Sequence, residues 1–179
     1  DNLKISVKDI QDNVVNLTYG TTRITGTVFW ASDIRETVHT EKTEYNQGGK
    51  GGSSYTNTNV TYTYDCDFAL GLCEGPIVGI RKIWANKELL YDNSQVPAKV
   101  DWLKYKLYTG TETQVTDPLL EANIGYGRVT AHRGLAYIVF EKFQLDPFGR
   151  RLPQSFEIEV VAKGVKNGLC YKYPQVDYT

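Results

Sequence analysis

Residues 60–70, VTYTYDCDFAL, hold the arrangement in this chain that is closest to a chemical site, a cysteine between two aspartates. Asp65, Cys66 and Asp67 are residue types that bind metal ions, and a metal site requires such side chains to converge on one point. The segment alternates apolar and polar residues over eleven positions, which is typical of a β-strand with one apolar face. On that strand Cys66 points into the core, whereas both aspartates lie with threonines on the opposite, polar face. The pattern therefore favours a framework strand over a metal site.

The two aspartates also invite a second interpretation, since paired carboxylates perform acid–base chemistry in glycoside hydrolases. Asp65 and Asp67 lie beside threonines, however, and not in an apolar pocket that would raise the pKa of one of them. We therefore assign no catalytic, cofactor-binding or metal-binding residue. The face assignment predicts that Cys66→Ser destabilises the protein more than Asp67→Asn does, because only the cysteine is expected to be buried.

The cysteines of the chain are Cys66, Cys73 and Cys170, and no histidine lies close to them in sequence. They form no CxxC pair, so their spacing, even with Glu74 next to Cys73, does not match a structural zinc site. Three cysteines cannot all pair within one chain, and burial as free thiols is the expected state.

His39 and His132 are the candidates for a general base. His39 lies in an alternating polar segment with Glu36 and Glu41, and His132 precedes an apolar run. Neither histidine has the nucleophile context of a hydrolase motif, and catalysis requires a positioned partner. We therefore predict that the chain is not an enzyme. A hydrolase that uses His39 or the aspartate pair is the third hypothesis, and a pocket in which these groups converge would support it.

A glycine-rich segment, Tyr45–Asn59, carries GGKGG at residues 48–52. Its glycines and polar side chains make ordering costly, so the segment is predicted to be a mobile hairpin loop. GGKGG lacks the GxxxxGK pattern of a phosphate-binding loop, and no helical pattern follows it. We therefore expect no nucleotide site there.

The composition limits the protein classes that the chain fits. Its 179 residues, 41% of them hydrophobic, suffice for one substantial domain or two small ones. A formal net charge of -1 gives no electrostatic case for nucleic-acid binding, and no apolar run approaches the roughly 20 residues of a membrane span. The chain starts at Asp1 and contains no methionine, so we expect it to be an excerpt from a longer polypeptide.

Alternating segments separated by turn residues predict a mostly β fold, a barrel or sandwich with one short helix. Further strands are predicted at residues 3–10, 23–30, 102–108, 136–143 and 155–161, and a hairpin at residues 79–91. In the strand at 23–30, Ile24, Val28 and Trp30 are assigned to one apolar face. The nearly continuous apolar run at 136–143 predicts a central strand.

Local signals predict the turns and the helix. Asn86 and Lys87 suit the two-residue turn of the hairpin. Asp117 can cap a helix that ends at Gly125, with Pro118 at its first position. Bends are predicted at Gly75-Pro76 and around Phe148-Gly149 and Pro153.

Four blocks of sequence, in this order, resemble the hub proteins at the tail tip of long-tailed bacteriophages and the related hub protein of gene transfer agents. They are residues 17–36, the GGKGG sequence with residues 61–92 after it, residues 108–125 and residues 132–160. The part CEGPIVG, residues 73–79, is also similar to the start of the tail-tip attachment protein J of phage lambda. The sequence departs from the family at Arg150, where asparagine is common, and at the turn Asn86-Lys87, where Asp-Gly is common.

This resemblance implies β-barrel-like hub domains in a trimeric ring that closes the distal end of the tail tube in the virion. The implied partners are the two other copies, the rings of the distal tail tube, and fibre or receptor-binding components, without nucleic-acid binding or membrane insertion. Residues 1–165 would form the hub region, with room for two small β subdomains. Residues 166–179 would be a tail that leads into further sequence.

The 13 tyrosines and 3 tryptophans also fit a second hypothesis, a carbohydrate- or receptor-binding β-sandwich, because aromatic rings stack on sugars. Exposed aromatic side chains on one face would favour that hypothesis. Aromatic side chains buried in the core would favour the hub.

Overall fold

The computed structural model describes residues 20–46, 54–93 and 98–163 and the residue pairs 165–166 and 169–170. The strand predicted at residues 3–10 and most of the tail predicted after residue 165 lie outside the described residues.

Nine strands in the described part of the chain form one antiparallel sheet that curls into a half-barrel. They are β1 (Thr21–Ala31), β2 (Arg35–Asn46), β3 (Ser54–Glu74), β4 (Ile77–Ala85), β5 (Glu88–Asp92), β6 (Ala98–Lys99), β7 (Lys104–Tyr108), β8 (Leu135–Gln144) and β9 (Phe156–Ala162). Their order across the sheet is β6-β5-β4-β9-β1-β3-β8-β7, and β2 lies off this order, paired with β3. Two short strands, β10 (Val165–Lys166) and β11 (Leu169–Cys170), pair with each other. The mostly β, barrel-like prediction is confirmed.

Four phenylalanines form the centre of the first apolar core. Phe68, Phe140, Phe143 and Phe156 are each at most 2% exposed. The rings of Phe68 and Phe140 stack with their centroids 4.7 Å apart. Burial of apolar surface on this scale, worth about 25 cal/mol per Å², is the main force that closes the sheet on itself.

A second apolar cluster covers the opposite face of β3 and β8. Ala69, Tyr137 and Val139 alternate along these strands with residues of the first core, and Leu120 from the single α-helix of the described residues packs against them. Both faces of β8 are therefore buried over residues 136–140, which explains the unbroken apolar run. β8 lies between β3 and β7, so it is an interior strand one position from the edge and not a central one.

The helix α1 (Pro118–Ile124) begins and ends where the sequence predicted. The Asp117 carboxylate accepts hydrogen bonds from the N–H groups of Leu119 and Leu120, at 2.8 and 3.1 Å. Gly125 closes the helix with φ 119°. These signals suffice because they satisfy backbone groups that a helix terminus leaves without partners. Within the described residues, no helix is long and apolar enough to cross a membrane.

The predicted face of Trp30 in β1 is wrong. The register of β1 against β3 shifts between Val28 and Trp30, which marks a β-bulge. Phe29 is consequently buried in the second cluster, and Trp30 packs there as well, whereas Ile24 belongs to the first core. A prediction from strict alternation cannot account for the extra residue that a β-bulge inserts. In β9, by contrast, alternate residues are buried as predicted.

A short 3-10 helix, Asp146–Phe148, makes the predicted bend after β8. Gly149 ends it with φ 69°, and Arg150 follows with φ 62°. This left-handed conformation favours glycine and asparagine over arginine. Arg150 is therefore a strained residue, and it is one of the positions at which the sequence departs from the family that it resembles. The bend at Gly75-Pro76 is present too, between β3 and β4.

The β4–β5 hairpin turns at Asn86 and Lys87, with φ values of 47° and 72°. We expect Lys87→Gly to stabilise the protein by about 1 kcal/mol, because glycine adopts this conformation without the steric cost that lysine bears. Urea denaturation measures the change.

Lys104→Gly in β7 is the matched control. It removes the same side chain from an exposed strand position of ordinary backbone conformation and should destabilise by about 0.5–1 kcal/mol. If both substitutions destabilised equally, the turn would carry no strain at position 87.

Candidate functional site

A long two-stranded arm is the most distinctive feature of the surface. Residues 36–46 of β2 and 54–64 of β3 form this β-arm, which is paired from Glu36 opposite Tyr64 to Asn46 opposite Ser54. Residues 36–45 and 55–62 are exposed throughout. At about 3.3 Å per residue the arm extends about 30 Å.

The prediction of a loop at residues 45–59 is wrong for the residues of that range that the structure describes. Tyr45, Asn46 and residues 54–59 are strand, and only the described ends of the predicted loop can be compared, since residues 47–53 lie outside them. The rings of Tyr45 and Tyr55 stack with centroids 5.1 Å apart. Threonine and tyrosine favour the pleated conformation, and cross-strand pairs of this kind stabilise it. Polarity alone therefore misled the sequence-based interpretation.

The two faces of the β-arm differ in chemistry. Residues directly opposite each other share a face, so Val38 lies with Tyr62, and Val60 is their neighbour. These three are 54%, 46% and 43% exposed. The other face carries threonine, asparagine and His39, whose Nε2 lies 2.8 Å from Thr63 Oγ1. One face of the arm thus has an apolar patch near the body of the protein, together with the charged Glu36, Lys42 and Glu44. The other face is polar apart from the stacked Tyr45 and Tyr55.

A partly buried ion cluster lies at the base of the β-arm. Arg35, the first residue of β2, donates from Nε to Asp65 Oδ1 at 2.8 Å and from Nη1 to Asp67 Oδ2 at 2.6 Å. Its Nη2 donates to Asp67 Oδ1 at 2.8 Å. Charge-assisted bonds in this forked geometry are strong and directional, so they define the angle at which β2 leaves the body.

Asp67 takes part in two further hydrogen bonds that involve backbone N–H groups. The N–H of Lys142 donates to Asp67 Oδ1 at 2.7 Å, and the Asp67 N–H donates to Ser32 Oγ at 2.9 Å. Burial alone would raise the pKa of Asp67, but the hydrogen bonds from Arg35 and Lys142 outweigh it and hold the pKa below its usual value. Burial opposes the charge of Arg35 too, yet its bond to Asp67 raises the pKa of the guanidinium.

The aspartates are therefore not on an exposed polar face, and that prediction is wrong. Asp65 is 9% exposed and Asp67 is 4% exposed. From residue 65 onwards β3 runs between β1 and β8, and the second cluster covers the face that alternation assigned to solvent. The two carboxylates are buried against Arg35, whose own side chain is partly exposed and which precedes Asp65 by thirty residues in the sequence. The prediction of a framework strand at residues 60–70 does agree with β3.

The described residues contain no group of three or more histidine, cysteine or acidic side chains that could hold a metal ion. Asp65 and Asp67 converge on Arg35 instead, and a guanidinium occupies the position a cation would take. Cys66 points to the opposite side, into the first core.

Cys66 is buried, 2% exposed, and in no disulfide. Burial, and then the charge of Asp67, raises the pKa of its thiol to about 12. We expect less than a tenth of Cys66 to react with iodoacetamide at pH 8 in an hour in the folded protein, and complete reaction in urea. Mass spectrometry of the peptide that contains Cys66 measures both. Rapid labelling of the folded protein would show that β3 opens locally.

The two histidines lie in different surroundings. His39 is on the polar face of the β-arm. His132 contacts the rings of Phe29 and Tyr137, with centroids 5.2 and 5.4 Å away, and burial lowers the pKa of its imidazole. Its hydrogen-bond partner is the Thr130 hydroxyl. The structure does not bring either histidine into a shared pocket with the aspartate pair.

Sequence reasoning missed a buried carboxylate at the start of α1. Asp117, 2% exposed, accepts a hydrogen bond of 2.6 Å from the Tyr108 hydroxyl in addition to its capping bonds. Burial and this bond raise the pKa of Tyr108. A cavity of about 270 Å³ lies beside Asp117, between β7 and α1. The capping bonds and the bond from Tyr108 satisfy the carboxylate. Since Tyr108 lies in β7, these bonds also join α1 to the sheet.

Comparison with protein-family models gives no match, and comparison with curated proteins gives no significant match. Among solved structures, the chain is similar to a chain of the virion of a native gene transfer agent particle, with a TM-score of 0.53 and 31% sequence identity. The match covers 81% of this chain and 26% of that chain, so this chain spans about a quarter of the length of its relative. The similarity supports a phage-like structural protein.

Proposed function

We propose that this chain is a structural domain of a tail-tip hub, placed at the distal end of the tail of a phage-like particle and repeated as a homotrimer. The observation that carries the proposal is the similarity to a gene transfer agent virion chain over 81% of this chain. The family-like blocks of the sequence support the finer assignment, since they correspond to the β3–β4 corner, to α1 and to β8. That residues 1–165 form one hub region remains a prediction.

The distribution of aromatic residues supports a scaffold over a sugar-binding module. The large phenylalanines are in the core. Of the exposed tyrosines, Tyr45 and Tyr55 lie on one face of the β-arm and Tyr62 on the other, while Tyr126 follows α1, outside the arm. They do not form one stacking platform. The surroundings of the aspartate pair support a non-enzymatic role, because both carboxylates are bound to Arg35.

In this proposal the half-barrel connects the distal rings of the tail tube to fibre or receptor-binding components. A partly buried ion cluster at the base of the β-arm and two apolar clusters on the two faces of β3 and β8 suit a part that must keep its shape under load. Neither nucleic-acid binding nor membrane insertion is part of the proposed role.

Electron microscopy of particles labelled with an antibody fragment tests this assignment. The fragment should be raised against the folded region of residues 20–163, and an antibody fragment against a capsid protein is the control. We expect the label at the distal end of the tail. Label on the capsid, label along the tail tube, or absence of the protein from purified particles would contradict the proposal.

A further inference from the structure

The β-arm has two open edges. Within the described residues β2 pairs with β3 alone, and β3 begins to pair with β8 at Asp65 and with β1 at Phe68. Residues 54–63 therefore have a neighbour on one side, whereas the backbone of Tyr64 also bonds to Leu145 and Asp146. An isolated two-stranded ribbon is marginally stable in water, and unpaired edges are templates for a further strand. The arm needs a partner that supplies strands.

The charges of the β-arm are confined to one strand. Glu36, Glu41, Lys42 and Glu44 are all on β2, whereas residues 54–64 of β3 carry no charge. Two β2 edges side by side would bring acidic strands together, which is unfavourable. A β2 edge beside a β3 edge avoids that repulsion. The charge pattern thus favours unlike edges as neighbours, and both edges are available if the partner is another copy of this arm.

We propose that the β-arms of neighbouring copies of this chain pair edge to edge, β3 of one arm with β2 of the next, to form a closed ring of strands. Arms that project in the same direction around a rotation axis place β3 of one copy beside β2 of the next, and these strands are antiparallel. Such a heterologous contact closes when the copies form a ring, and closure leaves no free edge. The inference rests on the proposed trimer, in which three arms supply six strands.

Closure of the ring would also explain why the two faces of the β-arm differ in chemistry. A ring of strands has an inside, and the apolar patch of Val38, Val60 and Tyr62 near the body is the part of the arm that gains most from facing it. The same face carries Glu36, and Lys42 and Glu44 lie on it towards the tip. The threonine- and asparagine-rich face is left outside, in water. Burial of these partly exposed side chains adds hydrophobic stabilisation to the new backbone hydrogen bonds.

A pair of matched double substitutions tests the inference in the full-length protein. Val38→Lys with Val60→Glu places opposite charges at diagonal positions of the apolar face, and Thr37→Lys with Thr61→Glu does the same on the polar face. Because both pairs are complementary within one arm, each variant arm should still fold. Sedimentation velocity measures association, and circular dichroism on heating checks that the body is unchanged.

We expect the wild-type protein and the threonine double variant to associate alike, and the valine double variant to associate at least about tenfold more weakly, because its charges would be buried inside the ring. A monomeric wild-type protein, unchanged association of the valine variant, or equal loss in both variants would overturn the inference. Antibody label at the distal tail end together with unchanged association of the valine variant, or with equal loss in both variants, would leave the proposed function intact and reject the role of the arm alone. A monomeric wild-type protein would also contradict the proposed homotrimer.

Discussion

Asp67→Asn is expected to destabilise the protein by about 2–3 kcal/mol, more than Cys66→Ser at about 1–2 kcal/mol. The amide would turn an N–H₂ group or a neutral oxygen towards Arg35 and leave a partly buried guanidinium with one carboxylate. Breaking a fully buried pair costs about 3–5 kcal/mol, and the smaller figure here reflects Arg35, whose side chain is 40% exposed. Urea denaturation at pH 7 measures the two losses.

Glu44→Gln on the exposed β-arm is the control, and it should change stability by less than about 0.5 kcal/mol. The pH dependence separates loss of charge from loss of shape. The pKa of Asp67 is lowered in the folded protein, so its contribution is fully present above its ordinary pKa, about 4, and is lost as the pH falls through the folded pKa. The difference between wild type and Asp67→Asn should therefore shrink from pH 7 to pH 3. A difference that does not depend on pH would mean that the carboxylate acts only by its shape.

Alternation along the sequence located most strands because it reports a strand with one covered face. It failed at Asp65 and Asp67, since their partners, Arg35 for both and the Lys142 N–H for Asp67, are distant in sequence. The face of a residue is a local property, whereas its exposure depends on what else the chain brings there. The pairing of Arg35 with the aspartates follows from the register of β2, which alternation does not determine.

The β-arm shows a second limit of the sequence-based prediction, a strand that was predicted as a loop. Its threonines are typical of loops by polarity and of strands by conformational preference, and its asparagines favour loops. Residues 54–59 are nevertheless strand. The cross-strand pairs decide between the two, and the sequence does not display them. Local signals were reliable where one or two residues determine a helix end or a turn, as at Asp117, Gly125 and the Asn86-Lys87 turn.

Gly110→Ala is expected to have the largest effect on the fold, a loss of at least about 3 kcal/mol. Gly110 has φ 83°, and a Cβ there would lie 2.8 Å from Gly75 Cα and 2.9 Å from the Ala136 nitrogen. All of these are backbone atoms, so no side chain can move aside. The Gly75 N–H donates to the Gly134 carbonyl oxygen at 2.8 Å, and this bond keeps the β3–β4 corner against the entry to β8.

Gly79→Ala in β4 is the matched control for Gly110→Ala, because a Cβ at Gly79 meets no atom within 4 Å and its φ is not positive. Glycine in a strand has excess conformational entropy in the unfolded chain, so this alanine should be neutral or stabilise by up to about 1 kcal/mol. Urea denaturation of both variants gives the comparison, and soluble yield replaces it if Gly110→Ala does not fold. A Gly110→Ala protein within about 1 kcal/mol of Gly79→Ala would show that the segments at Gly75 and Gly110 separate at little cost. In that case the curl of the half-barrel would depend on the phenylalanine core and not on this contact between two glycines.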